Sequence, residues 1–108
     1  SPRGGHLYIG EDNIVYWDGL YDNVLGQFVN DATLTFTLKN SGGSAVSGAD
    51  GVSMTYVTGS KGCYQGVLED GVSLTENANY NLEITATASG DRVGFRRIPY
   101  VAVYHGAA

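Results

Sequence analysis

The chain has 108 residues, a formal net charge of −5, and sixteen glycines against two prolines. That length supports one domain around one core, burying roughly 60 to 70% of its unfolded surface without disulfide staples, and the acidic balance argues against nucleic acid as a partner. Cys63 is the single cysteine, which excludes an internal disulfide and a cysteine–histidine zinc site; no apolar run is long enough to span a bilayer and no Asn-x-Ser/Thr sequon occurs, so neither a membrane partner nor glycosylated secretion is expected.

Residues 1–12 mix glycine with the short apolar run Leu7-Tyr8-Ile9 and read as an extended N-terminal arm that can pair with a neighbouring strand. Residues 13–17 read as a strand, Asp18-Gly19 as a turn, and residues 20–27 as a loop with short pairing. From residue 32 the pattern sharpens: Ala32, Leu34, Phe36 and Leu38 alternate with Thr33, Thr35, Thr37 and Lys39, the signature of a half-buried strand. Asn40-Ser41-Gly42-Gly43-Ser44 follows as a loop. Residues 52–58 form the next expected strand, and Gly59-Ser60-Lys61-Gly62 the hairpin loop into residues 63–68. Tyr64, Gly66 and Leu68 point inward there, with Gly66 making room for a bulky neighbour such as Tyr80.

Tyr80, Leu82, Ile84 and Ala86 then share one face of a long strand while Asn81, Glu83, Thr85 and Thr87 share the other. A tyrosine opening such a strand after a polar turn suits a structural corner, its hydroxyl bonding upstream backbone. The last strand, 92–104, contains Pro99, which lacks a ladder donor and marks an edge, a bulge or a change of sheet. About seven strands with turn signals every eight to twelve residues predict an all-β, Greek-key β-sandwich. Its expected bounds are 13–105, after the arm at 1–12 and before a tail at 106–108, with Phe36, Leu38, Tyr56, Leu82 and Ile84 meeting between two sheets.

Chemistry is sparsely represented. His6 and His105 lie in the terminal segments, where catalytic geometry is hard to hold, so no catalytic residue, enzyme activity or cofactor is expected. Every carboxylate except Glu83 lies in or beside a turn, where it caps its own backbone; no twelve-residue calcium loop is spelled out, although loops at one end of a sandwich can converge on an ion. In the basic run around Arg96 and Arg97 the two side chains face opposite sides of a strand, leaving at least one to reach a carboxylate on a neighbouring chain or to guard an edge. Tyr8, Tyr16, Trp17, Tyr21 and Phe28 crowd the first 28 residues, and rings without an internal place suit subunit contacts; an exposed Trp17 would also suit stacking on sugars.

Residues 32–46, Gly62-Cys63-Tyr64-Gln65-Gly66-Val67-Leu68 and residues 74–84 resemble the immunoglobulin-like domains of bacterial and bacteriophage surface proteins. With the leader Leu7-Tyr8-Ile9-Gly10-Glu11-Asp12-Asn13 and the ending Gly94-Phe95-Arg96-Arg97-Ile98, nearly the whole chain is similar to small tailed-phage and prophage proteins encoded among virion structural genes. The resemblance implies a non-enzymatic virion protein: a capsid decoration protein, or a head-to-tail or tail component. A carbohydrate- or receptor-binding module is the competing reading. Expected partners are a major capsid or other virion protein and copies of the chain itself. The expected assembly contacts are Leu7, Tyr8, Ile9, Tyr16, Trp17, Tyr21, Arg96 and Arg97, with Tyr80 as the corner.

Overall fold

The computed structural model describes residues 5–88 and 91–104. Within them, nine strands form where apolar and polar residues alternate: β1 (Gly5–Tyr8), β2 (Asn13–Trp17), β3 (Tyr21–Asp22), β4 (Gln27–Phe28), β5 (Thr33–Asn40), β6 (Val52–Tyr56), β7 (Tyr64–Leu68), β8 (Asn79–Ala88) and β9 (Asp91–Val103). The centre is the β5–β8 ladder. Leu34, Phe36 and Leu38 stand opposite Ala86, Ile84 and Leu82, and all six are buried. Each large apolar side chain removed from water there contributes about 1.5–3 kcal/mol.

The immunoglobulin-like Greek-key sandwich expected from the strand spacing does not form. Seven strands make one mixed sheet in the order β1-β9-β8-β5-β6-β7-β2, which curls until it nearly closes into a barrel. The decisive element is β6, because a sandwich needs a break between its sheets and β6 bridges that place. Val52, Ser53 and Met54 pair with β5, whereas Thr55 and Tyr56 pair with β7. Alternation along the chain is the same in both architectures, since either buries one face of each strand. Gly66 accordingly faces Met54 and Phe36: a Cβ there would lie 3.0 Å from Met54 Cγ and 3.1 Å from Phe36 Cε2. Tyr56, expected in the central layer, is half-buried at its margin.

The near-closure brings the two ends of the sheet together. β1 pairs with β9 in parallel, in the register Gly5↔Tyr100 to Tyr8↔Val103, and Ile9 N–H extends the pairing to Val103 O at 2.8 Å. Residues 5–8 of the expected arm are therefore sheet, and Leu7 lies in the core. The pairing starts just past Pro99, whose missing N–H could not serve the ladder. Across the seam, Asn13 stands in for a backbone pair: its Oδ1 accepts Tyr8 N–H at 2.9 Å and its Nδ2 donates to Tyr8 O at 3.0 Å. The expected 106–108 tail, His105 and residues 1–4 lie outside the described residues.

Candidate interaction surfaces

The separate two-stranded sheet β3–β4 projects as a hairpin between the buried residues Leu20 and Val29. Leu20 N–H bonds Gly62 O at 2.7 Å, and Val29 N–H bonds Leu20 O at 2.9 Å. Tyr64 pins the far side, donating its hydroxyl to Val29 O at 2.8 Å and accepting Ala32 N–H at 3.1 Å; burial raises its pKa above the ordinary tyrosine value. The tip is ordered from within. Asp22 Oδ1 accepts the N–H groups of Val24 at 2.8 Å and Leu25 at 3.1 Å, Gly26 closes the turn at φ 69°, and Tyr21 meets Phe28 edge-on at 5.1 Å. This scaffold holds Val24 94% and Leu25 67% exposed, an arrangement that water disfavours and a partner's apolar pocket would relieve.

A second apolar area lies on the outside of β2 and β7. Val15 and Trp17 turn inward, so Ile14 and Tyr16 turn outward, where Ile14 stands opposite Val67 and Tyr16 opposite Gln65. Beyond the Asn13 end of β2, the carboxylates of Asp12, Glu69 and Asp70 lie within 4.8 Å of one another, all three residues exposed. Asp12 Oδ1 accepts Asp70 N–H at 2.9 Å there, so one oxygen of the cluster already serves the loop. At the other end, Arg96 lays its guanidinium 4.1 Å over the Trp17 ring and its Nη2 reaches Asp18 O at 3.4 Å.

The expected contact residues separate into two groups. Leu7 and Trp17 are buried, Trp17 to 5% exposure, and serve the core. That burial removes Trp17 as a platform for stacking on sugars. Tyr8 and Ile9 are half-buried beside the seam, while Tyr16, Tyr21, Arg96 and Arg97 are exposed. Arg97 bonds Glu83 at 3.0 Å, and Lys39 bonds the same carboxylate at 3.2 Å. Burial alone would raise the Glu83 pKa, but the hydrogen bonds and charges of Lys39 and Arg97 outweigh it and hold the carboxyl below its ordinary value. Tyr80 sits inside, its hydroxyl accepting Thr75 N–H at 2.8 Å.

The described residues also form two surface grooves. One, of about 360 Å³, is lined by residues that include His6, Asn79, Pro99 and Tyr100, and burial raises the Tyr100 pKa. The other, of about 580 Å³, is lined by loop residues including Asn40, Ser44, Ser73 and Thr75. Among the described residues, no carboxylate lines either groove.

Sequence reasoning missed Val24, Leu25, Ile14 and Val67. Asn23-Val24-Leu25-Gly26 did carry a signal, two aliphatic residues set between turn formers. Compared with known proteins, the chain matches no family model, no curated protein and no solved structure.

Proposed function

We propose that this protein is a non-enzymatic virion structural protein that decorates and stabilises a protein lattice, with the β3–β4 hairpin as its docking element. The observation that carries this reading is the rigid presentation of Val24 and Leu25, exposed to 94% and 67% on a turn that Asp22 has already capped. Preorganisation matters because little side-chain and loop entropy is left to lose on binding. Asp18 and Asp31 flank the hairpin in sequence and Asp22 lies within it, so the matching site is an apolar pocket with a basic or neutral rim on a capsid, connector or tail subunit. The virion setting comes from the sequence resemblance; the hairpin supplies a physical means of attachment.

The test is binding of the purified protein to capsid shells of a tailed phage or prophage whose genome encodes this chain, with necks and tails isolated from the same particles as parallel arms. Saturable binding to one of these, lost on Val24→Asp/Leu25→Asp in a protein with unchanged circular dichroism, supports the reading. Absence of wild-type binding to all three, or equal binding by the variant, overturns it.

A further inference from the structure

The geometry points to the outer β2–β7 face as a self-complementary surface, on which two copies of this chain pair about a twofold axis with their β2 strands antiparallel. The inference rests in part on reading the chain as an assembly module, but it concerns a different surface from the hairpin.

A strand at the end of a sheet needs one apolar face to join the core, and β2 has two. Val15 and Trp17 fill the inner face, yet Ile14 and Tyr16 outside are 50% and 55% exposed. The register continues the patch onto β7, with Ile14 opposite Val67 and Tyr16 opposite Gln65, and Gln65 opposite Thr55 of β6. No charged side chain interrupts these positions. Sheets packing face to face in near alignment bury surfaces of this kind.

Charge decides which occupant fits. The patch is polarised along β2: Asp12, Glu69 and Asp70 gather at one end, while at the other Arg96, lying over the Trp17 ring, reaches Asp18 O and together with Lys61 sets two cations against the one exposed residue Asp18. Exposed Lys61 lies in the β6–β7 connection at that same end, beside Gly62, whose carbonyl accepts Leu20 N–H. A twofold axis through the patch reverses one copy end for end, as isologous pairing requires. Each acidic end then meets the Arg96 and Lys61 end of the partner copy, twice per dimer, around a shared apolar centre. Parallel stacking would instead set acid against acid, which costs free energy through like-charge repulsion. A surface whose charge pattern is complementary to its own reversed image fits a second copy better than an unrelated partner.

Sedimentation velocity on the full chain tests this across concentration and salt. The expected species has twice the 11.4 kDa chain mass. Raising salt from about 0.1 M to about 1 M shortens the screening length from about 10 Å to about 3 Å and weakens pairing several-fold. Tyr16→Glu and, separately, Val67→Lys give folded monomers, with folding followed by circular dichroism and Trp17 fluorescence. Lys61→Glu/Arg96→Glu weakens pairing about tenfold or more, equivalent to about 1.4 kcal/mol, and adding Glu69→Lys/Asp70→Lys to that chain restores it. Val24→Asp/Leu25→Asp leaves the dimer intact, so loss of lattice binding and loss of pairing are scored separately. A monomeric wild type, a dimer indifferent to both face substitutions, or a charge swap that fails to restore pairing overturns the inference.

Discussion

Gly94 of β9 lies against the ring of Trp17 across the open part of the seam: a Cβ at Gly94 would stand 2.8 Å from Trp17 Cη2 and 2.9 Å from Cζ2. Arg96, two residues on and on the same face of β9 as Gly94, covers the same ring. The two ends of the sheet thus meet through side chains where β1 does not reach.

Gly94→Ala should therefore be costly although alanine suits a strand. The buried indole cannot swing away without disturbing Leu20, itself 3.2 Å from the added carbon. Overpacking of this kind costs about 1–3 kcal/mol. Urea unfolding followed by Trp17 fluorescence measures it, and an unchanged midpoint would show that the seam is loose.

Tyr64→Phe tests the support of the hairpin. It removes the donor to Val29 O and the acceptor of Ala32 N–H while keeping the ring in the core. Leaving the buried Val29 carbonyl and the part-buried Ala32 N–H unpaired costs about 1–3 kcal/mol. Amide hydrogen exchange should accelerate most around residues 29–32, ahead of β5 and β8.

The Glu83 cluster makes a pH prediction. Its carboxyl is held below the ordinary value of 4.5 by Lys39 and Arg97 against the opposing effect of burial. A depressed folded-state pKa means that the unfolded chain takes up the proton first, so this contribution is present above about pH 4.5 and is lost as pH falls through the folded-state value. Glu83→Gln should lower stability at pH 7 and flatten the acid limb of a stability–pH curve. A parallel offset at every pH would contradict it.

Leu7→Ala should cost about 2–5 kcal/mol, the range for emptying a buried leucine site. Removing residues 1–12 goes further, because it deletes β1 and uncovers β9 from Tyr100 to Val103. Circular dichroism melting of both variants is the measurement. A truncated chain melting like the full one would show that β1 is dispensable.

The sequence alone determined where strands form. Alternation in β5 and β8 dictates which face is buried, because successive side chains on an extended backbone point opposite ways, and turn residues between runs mark the connections. It also placed Tyr80 at the head of its strand. What it could not specify was which strands pair across long sequence separations. A period of two is silent on the partner, so β6 serving both neighbours and β1 running parallel to β9 were decided only when the chain closed on itself. That same closure drew Leu7 and Trp17 inside, because the gap between β2 and β9 needed filling with apolar volume. Ile14 and Tyr16 were left outside because Val15 and Trp17 take the inward face of the same strand, and Val24 and Leu25 because they sit at the turn of a hairpin separate from the seven-stranded sheet.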